Sequence, residues 1–256
     1  MPESDLALLI SAAQEAGEIA KSFANASAKV WDKPDGAGPV TEADLAVNDL
    51  LEAKLMAARP DYGWLSEESP HNDRRQSTES VFIIDPIDGT RSFIEGKPIW
   101  SHSLAIVKHG VVRAAVVYLP MLDRLYSANL GGGATLNGAG ITVGTSQALN
   151  EADILATRPT LDPALWKDVP GFKRSHRPSL AYRLSLVAQG RFDGMMTLRP
   201  TWEWDIAAGD LIAREAGAVS TDKTGTALSY NNPDPRLPGI ITSNKTLHQQ
   251  IISALA

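Results

Sequence analysis

The stretch that decides how this chain folds is Val81-Phe82-Ile83-Ile84-Asp85-Pro86-Ile87-Asp88-Gly89-Thr90. Its four leading apolar residues predict a buried β-strand that ends at Asp85. Side chains of a strand alternate between two faces, so Asp85 and Asp88 could not share a face if the strand continued between them. Pro86 and Gly89 are typical of turns, and we expect a tight turn over residues 85–88 that brings both carboxylates to one side.

The residues after this turn favour anion binding. We expect Gly89 and Thr90 to begin a short helix whose free N–H groups face an anion. Two carboxylates beside such a helix offer oxygen ligands for a hard cation next to a phosphate cradle, which is typical of Mg²⁺ chemistry. A solvated surface turn is the plainer interpretation of any single Asp-Pro or Asp-Gly pair. The hypothesis therefore depends on further acidic residues.

Four more acids stand at the ends of predicted elements, where functional sites are usually built. Glu67 and Glu68 follow a predicted strand at residues 62–65, and Asp44 and Asp205 each lie in the first turn of a predicted helix. Each has a structural alternative: Asp44 as part of a capping box, Asp205 as a helix N-terminal charge, and the glutamates as solvated surface. Taken together, these acids predict one shared site.

The composition is that of an ordinary folded protein, with 256 residues, 43% of them hydrophobic and 21% charged. The chain has no cysteine, which excludes disulfides, thiolate zinc sites, iron–sulfur clusters and cysteine nucleophiles. With a net charge of −6 and no basic run, nucleic acid is not an expected partner. Residues 1–25 contain acids and no long apolar run, so we expect no secretory signal, no membrane span and a cytoplasmic location.

The pattern along the chain predicts a mixed α and β protein. Apolar residues of helical period predict a helix over residues 4–23, residues 32–39 have loop composition, and a capping box at residue 41 begins a second helix that ends near residue 59. The other predicted strands are 101–107, 111–118, 124–128, 153–156, 193–198 and 240–242, and the other predicted helices are 180–189, 205–216 and one from residue 245.

Several blocks of sequence together resemble one enzyme family. They are Pro39-Val40-Thr41-Glu42-Ala43-Asp44, Trp64-Leu65-Ser66-Glu67-Glu68-Ser69, residues 85–90, Gly133-Ala134-Thr135-Leu136-Asn137-Gly138, and Trp204-Asp205-Ile206-Ala207-Ala208-Gly209 with Glu215-Ala216-Gly217. In this order and spacing they resemble the Mg²⁺-dependent, lithium-sensitive phosphatases of the inositol monophosphatase family. The resemblance covers nearly the whole chain. It implies an α+β fold, a layered αβαβα sandwich, and a homodimer. Residues 1–140 would form an N-terminal half with most of the metal ligands, and residues 141–256 a C-terminal half.

The resemblance also implies a set of metal ligands. Glu67, Asp85 and the backbone carbonyl of Ile87 would hold one Mg²⁺. Asp85, Asp88 and Asp205 would hold a second, with two or three ions in each active site. Asp88 and Asp205 would in addition face the substrate, which is a small phosphorylated metabolite.

Other residues acquire roles by the same resemblance. Thr90 and Asp44 resemble the pair that orients and deprotonates the attacking water, and Glu68 resembles a supporting acid or a water-mediated contact to a further ion. The N–H groups of Gly89 and Thr90 would hold the phosphate. Lys33 resembles a lysine that tunes the charge of the site, and a solvated loop lysine is its structural alternative.

The substrate is less well defined by the sequence. Inositol monophosphatases carry an acid before the Trp-Asp pair that contacts inositol hydroxyls, and Leu198 stands at that position here. Residues 199–205 instead resemble the Thr-x-Glu-Trp-Asp pattern of the 3'(2'),5'-bisphosphate nucleotidase branch. Arg199 could then meet a second phosphate, and a surface or interface arginine is its alternative. We rank a bisphosphate nucleotidase first, an inositol monophosphatase second and a histidinol-phosphate phosphatase third.

Two rival functions differ in class. The haloacid-dehalogenase phosphatases place their nucleophile and acid as Asp-x-Asp, and the spacing Asp-x-x-Asp of Asp85 and Asp88 does not fit. A non-catalytic regulatory module on the same scaffold is the second rival. It is disfavoured because the expected ligands and Thr90 are all present and no basic surface run is visible.

Overall fold

The computed structural model of the chain describes residues 3–24, 28–33, 38–70 and 72–256. The α-helices in these ranges are α1 (Asp5–Ala24), α2 (Glu42–Ala58), α3 (Thr90–Ile94), α4 (Leu180–Ala188), α5 (Glu203–Glu215) and α6 (Lys245–Ala254). The strands are β1 (Val30–Asp32), β2 (Pro39–Thr41), β3 (Gly63–Ser66), β4 (Ser80–Asp88), β5 (Ser101–Lys108), β6 (Val111–Leu119), β7 (Arg124–Asn129), β8 (Ala134–Leu136), β9 (Ala139–Gly140), β10 (Asp153–Leu155), β11 (Lys173–Ser175), β12 (Gly194–Thr197), β13 (Thr201–Trp202), β14 (Val219–Thr221), β15 (Arg236–Leu237) and β16 (Ile240–Ser243). None of the described helices is both long and apolar enough to cross a membrane.

Two sheets form the frame of the molecule. The larger has seven strands in the order β3-β4-β5-β6-β7-β8-β9, with β3 parallel to β4 and the remaining pairs antiparallel. The smaller has five strands in the order β11-β10-β12-β16-β14. The large sheet is a nearly continuous meander, because most of its strands follow one another along the chain and short turns join antiparallel neighbours.

Three hydrophobic cores separate the sheets from the helices. The first joins α1 and α2 to one face of the large sheet, as where Leu9 and Leu51 pack with Phe82. The second encloses α4 and α5 between the two sheets, and the third joins the small sheet to α6 through residues such as Ile241 and Ile251. The layers therefore run α, β, α, β, α, which confirms the predicted α+β sandwich. The division at residue 140 stays a prediction.

The strand that decides the fold differs from its prediction in one respect. β4 continues through Asp85 to Asp88, so the predicted tight turn was wrong. Asp85 pairs with Ser103 of β5 and Asp88 with Ser101, so β4 advances three residues while β5 advances two. The additional residue makes a β-bulge, which changes the alternation of faces and lets both carboxylates line the same cleft. Pro86 fits a bulge because it has no N–H to offer the ladder.

The predicted helices and the longer predicted strands are present, whereas the short strands β1, β2, β8, β9, β11, β13, β14 and β15 were not predicted. The capping box exists: the N–H of Asp44 donates to the hydroxyl of Thr41 at 3.4 Å, and the N–H of Thr41 donates to the Asp44 carboxylate at 2.9 Å. The hairpin of β1 and β2 was not predicted, because the residues of β1 are exposed and show no alternation of apolar and polar side chains. Part of the predicted loop, residues 34–37, lies outside the described residues.

Close packing of α4 against α5 requires a glycine. A Cβ at Gly209 would lie 2.6 Å from the Cβ of Leu184, far inside van der Waals contact. Glycine is a poor helix former, so its presence in the interior of α5 has a packing reason. The contact holds α5, which carries Asp205, against α4.

We expect Gly209→Ala to lower the free energy of unfolding by about 1–2 kcal/mol, because overpacking costs more than the gain in helix propensity of up to about 1 kcal/mol. Denaturant unfolding measures this difference. Gly140→Ala is the matched control, since a Cβ there meets no described atom within 4 Å, and it should change stability little. Equal stability of the two variants would contradict the packing explanation.

Candidate active site

Four acids from distant parts of the chain line one cleft of about 710 Å³. Glu67 follows β3, Asp85 and Asp88 belong to β4, and Asp205 lies in the first turn of α5. Carboxylate oxygens of Glu67, Asp85 and Asp205 all lie within 4.8 Å of one another. The structure thus brings together acids that are up to 138 residues apart in sequence (205 − 67). The cleft is of the size that usually holds a small molecule.

The negative charge of this cluster is largely buried. Asp85 is only 1% exposed, and its Oδ1 has no hydrogen-bond partner among the described residues. Burial raises the pKa of Asp85 well above its ordinary value, and the neighbouring Glu67 and Asp88 raise it further. Burial and Asp88 likewise raise the pKa of Asp205. Because buried unpaired charge is costly, the donor set calls for a cation.

Asp88 is held from the beginning of α4. The hydroxyl of Ser179 donates to Asp88 Oδ2 at 2.6 Å, and the N–H of Ala181 donates to the same oxygen at 2.7 Å. Burial raises the pKa of Asp88 to about 6, although these two donors oppose the shift. The sequence prediction missed Ser179 and Ala181. The only signal was the position of Ser179 before an apolar helix, where its hydroxyl caps the N–H of Tyr182.

Asp205 is held by the anchoring of α5. The hydroxyl of Ser103 on β5 donates to the backbone carbonyl of Trp204 at 2.9 Å. The fully buried Glu203 accepts hydrogen bonds from the N–H groups of Asn231 and Asn232, at 2.6 and 2.9 Å. The first turn of α5 is therefore tied both to the large sheet and to the loop before β15.

Asp44 and Thr90 meet across two helix beginnings. The Thr90 hydroxyl lies 3.4 Å from Asp44 Oδ1 and 3.1 Å from the carbonyl oxygen of Ile87. The second oxygen of Asp44, Oδ2, accepts hydrogen bonds from the hydroxyl and N–H of Thr41. Burial raises the pKa of Asp44 to about 6. One carboxylate oxygen is thus structural, and the other faces Thr90.

Lys33 lies between two glutamates and is not a solvated lysine. Its ammonium group is 2.7 Å from Glu67 Oε1 and 2.6 Å from Glu68 Oε1, and its side chain is 14% exposed. Burial acts to lower the pKa of Lys33, but the two carboxylates outweigh it and the net shift is upward. Burial, with the nearby Glu67, raises the pKa of Glu68 to about 7.

Gly89 begins the short helix α3 at the floor of the cleft, as predicted. Its φ of +101° lies in the left-handed region that glycine tolerates. A Cβ there would also lie 3.3 Å from the carbonyl oxygen of Ile99. The sharp change of direction between β4 and α3 therefore requires glycine at this position.

Basic residues form the wall of the cleft that the C-terminal part of the chain supplies. Arg183, Arg199 and His176 line it. Arg183 is 4% exposed, and its Nη2 lies 2.8 Å from Nε2 of His176. Burial lowers the pKa of Arg183 to about 10. The charge of Asp88 opposes this shift, and the charge of Arg199 adds to it. Of these three residues only Arg199 was predicted from the sequence, because no local motif distinguishes Arg183 and His176.

Comparison with known proteins agrees with the geometry. The model of the inositol monophosphatase family matches residues 1–256. An inositol-1-monophosphatase from Rhizobium meliloti is 36% identical over 234 residues, 86% of each chain. A histidinol-phosphatase from Chlorobaculum parvum is 31% identical and covers 98% of this chain and 96% of its own.

Solved structures give the same result. The extragenic suppressor protein suhB from Bartonella henselae superposes with a TM-score of 0.80 at 30% identity, over 96% of each chain. The sequence match over the whole chain and the shared fold together identify the family. The chain belongs to the inositol monophosphatase family, a family of phosphatases.

Proposed function

We propose that this chain is a Mg²⁺-dependent phosphomonoesterase that hydrolyses a small phosphorylated metabolite with a second anionic group. The observation that carries the proposal is the meeting of the Glu67, Asp85 and Asp205 carboxylates in a cleft with a basic wall. Membership in a phosphatase family supports the reaction class. The first candidate activity is that of a 3'(2'),5'-bisphosphate nucleotidase.

The donor set fits divalent cations of the Mg²⁺ type, which bind carboxylate and carbonyl oxygens. Glu67, Asp85 and the carbonyl of Ile87 would hold one ion. Asp85, Asp88 and Asp205 would hold a second, and Asp85 would bridge the two. The buried Oδ1 of Asp85, which lacks a partner among the described residues, supports this role. When bound, the ions polarise the phosphoryl oxygens and lower the pKa of water.

Thr90 and Asp44 are the proposed groups that handle the proton. Asp44 Oδ2 is occupied by Thr41, so Oδ1 is the oxygen left to accept a proton. The raised pKa of Asp44, about 6, makes it a stronger base than an ordinary aspartate while it stays ionised at neutral pH. The Thr90 hydroxyl would orient the attacking water and pass its proton to Asp44.

The substrate phosphate would lie against the beginning of α3, where Gly89 and Thr90 line the cleft and their N–H groups would bind it. Asp88 and Asp205 would contact the substrate from the opposite side. Lys33, paired with Glu67, would offset part of the negative charge of the cluster.

Glu68 would stand behind the metal ligands as a supporting acid. It shares Lys33 with Glu67 and has a pKa raised to about 7 by burial and by its neighbouring glutamate. A contact through water to a third ion is the role that the family resemblance suggests. Removal of the Glu68 carboxylate would change the electrostatic potential at Glu67.

The basic wall supports a substrate with two anionic groups. Among the described residues, neither Arg183 nor Arg199 forms a salt bridge with a carboxylate. Nε and Nη2 of Arg183 are bound by backbone carbonyls and by His176, which fixes the guanidinium in place. A fixed guanidinium without a carboxylate partner is suited to binding a phosphate. Arg199 would bind the second phosphate, and Arg183 would support it.

Two other substrates follow as alternatives. Leu198, which stands where an inositol-binding acid is expected, is 8% exposed and packs in the core of the small sheet. This disfavours inositol phosphates, although the Rhizobium relative is named as an inositol-1-monophosphatase. Histidinol phosphate carries an ammonium group that Arg183 and Arg199 would repel.

A regulatory module without activity would not need the intact acid cluster. A homodimer and a cytoplasmic location stay predictions.

We expect Asp88→Asn to lower kcat/KM at least about 100-fold, since loss of even an outer partner of a metal ligand costs about 10–100-fold. The melting temperature of the metal-free protein should stay the same or rise, because asparagine keeps an acceptor for Ser179 and removes a repelled charge. Asp49→Asn, an exposed change on α2, is the control. Wild-type rates in Asp88→Asn would contradict the two-metal scheme.

Stability should depend on pH and Mg²⁺ together. The raised pKa values of Asp44 and Asp88, about 6, and of Glu68, about 7, mean that these groups bind protons more tightly in the folded chain. Their contribution to stability in the metal-free protein is full below about pH 4 and is lost as the pH rises through about 6–7. The rise in melting temperature caused by about 10 mM Mg²⁺ should therefore be larger at pH 8 than at pH 5.5.

Sodium chloride at equal ionic strength is the control for that measurement, since screening alone should not reproduce the effect. A rise caused by Mg²⁺ that is equal at both pH values would contradict the binding of the ion by these carboxylates.

Adenosine 3',5'-bisphosphate should give the highest kcat/KM in a panel with inositol 1-phosphate and histidinol phosphate at fixed Mg²⁺. Arg199→Gln should lower kcat/KM for the bisphosphate about 10-fold or more, and for adenosine 3'-monophosphate much less, because only the former loses a charge-assisted hydrogen bond. Arg236→Gln, an exposed arginine paired with Asp234, is the control. Equal losses on both nucleotides would reject a second phosphate at Arg199.

A further inference from the structure

The β-bulge that forms the site has a side chain facing it from the neighbouring strand. His102 is the residue of β5 between the pairing partners of Asp85 and Asp88. Its ring nitrogen Nδ1 lies 2.5 Å from the carbonyl oxygen of Pro86, inside the bulge. A bulge removes backbone groups from the regular ladder, and this carbonyl obtains its hydrogen bond from His102 instead.

The protonation state of His102 follows from its surroundings. A carbonyl oxygen only accepts, so Nδ1 must carry the proton. His102 is 0% exposed, and its Nε2 has no partner among the described residues. Burial lowers the pKa of His102 to about 4, so the ring is neutral at physiological pH. The side chain is therefore a fixed single donor that points at Pro86.

Strand β5 contacts the site from both of its faces. On one face, Ser101 Oγ lies 2.9 Å from Ser179 Oγ, which binds Asp88, and Ser103 holds the carbonyl of Trp204. On the other face, the ring of His102 packs against Trp100 and Tyr118, with ring centroids 5.6 and 6.4 Å away. The serines of β5 thus anchor the beginnings of α4 and α5 on one face of the strand, and His102 holds the backbone of the bulge from the other.

A buried histidine at this position carries a free-energy penalty, because one of its ring nitrogens has no hydrogen-bond partner among the described residues. An apolar side chain of similar size would fill the same space without leaving Nε2 unpaired in the interior. What an apolar side chain cannot do is donate to the carbonyl of Pro86. That donation is therefore the physical property that distinguishes His102 from the apolar residues around it.

We propose that His102 is a positioning residue for the metal centre, whose Nδ1–H bond to Pro86 holds the bulge in the register that keeps Asp85 and Asp88 on the cleft side. Without this bond the bulge can relax toward regular pairing. Alternation of faces would then turn one of the two carboxylates away from the cleft. The inference rests on the proposed function, because the spacing of the carboxylates matters only if they bind divalent ions.

Two substitutions at position 102 distinguish the effect of the hydrogen-bond donor from the effect of the ring. His102→Phe keeps a ring of similar size and removes the donor, and His102→Asn restores an N–H near the position of Nδ1. The matched control is His248→Phe, because His248 is also buried, lies on α6, and loses only a contact with Thr221. Mg²⁺ binding to each metal-free protein is measured by titration calorimetry, beside unfolding by denaturant without Mg²⁺.

We expect Mg²⁺ affinity to fall about 10–100-fold in His102→Phe, as is typical when an outer partner of a metal site is lost. In His102→Asn and in His248→Phe it should stay within about threefold of wild type, since both keep the donor to Pro86. The Mg²⁺ concentration that gives half-maximal activity should rise by a similar factor in His102→Phe. In His102→Asn and His248→Phe it should stay close to the wild-type value. If His102 had a purely structural role, its substitutions would lower the free energy of unfolding without a selective loss of Mg²⁺ affinity in His102→Phe.

The outcomes separate the two proposals. Equal Mg²⁺ affinity in wild type and His102→Phe would overturn the role of His102 and leave the metal-dependent function standing. No Mg²⁺ binding to the wild type would overturn both. If His102→Phe does not fold, ¹⁵N NMR of histidine-labelled wild type decides the matter, with the His102 signal identified by its loss in His102→Asn. A ring that carries a proton on Nδ1 supports the proposal, and a neutral ring protonated only on Nε2 overturns it.

Discussion

Crowding of buried carboxylates is the constraint on which this structure depends. Oxygens of Glu67, Asp85 and Asp205 lie within 4.8 Å of one another, and Asp85 is almost wholly removed from water. Like charges at such distances repel strongly in a medium of low dielectric constant, and burial alone disfavours the ionised form. A chain can keep such a cluster only if its fold holds the acids in place and protons or a cation offset their charge.

The layers of the sandwich meet this constraint together. Asp88 receives its hydrogen bonds from the beginning of α4, and Asp205 is placed by the anchoring of α5 on the large sheet. Asp44 is held by the capping box of α2 on the other side of that sheet. Because the acids are fixed by different elements, a change in the packing between these elements moves the carboxylates relative to one another. The close contact of Gly209 with Leu184 is therefore connected to the chemistry of the site.

Local patterns allowed much of the fold and part of the site to be predicted. The helix from residue 42, the antiparallel strands of the large sheet and the short helix after Gly89 are each specified by caps, alternation or turn residues close in sequence. The bulge in β4 was missed, because a bulge depends on the partner strand as much as on its own residues. Ser179 was missed for the same reason, because its partner Asp88 is 91 residues away in the chain. Arg183 was missed although its partners lie within seven residues, because no local motif distinguishes it.

By itself the sequence determined the helices, the longer strands, their order and the identity of the acids, since these depend on neighbouring residues and on the chemistry of each side chain. Only the tertiary structure decided that Asp85 and Asp88 face one cleft through a bulge, that Lys33 lies between two glutamates, and that Arg183 and Arg199 line the same cleft as the acids. These features are contacts between residues remote in the chain. Their distances and burial are set by the packing of whole layers, which no local pattern encodes.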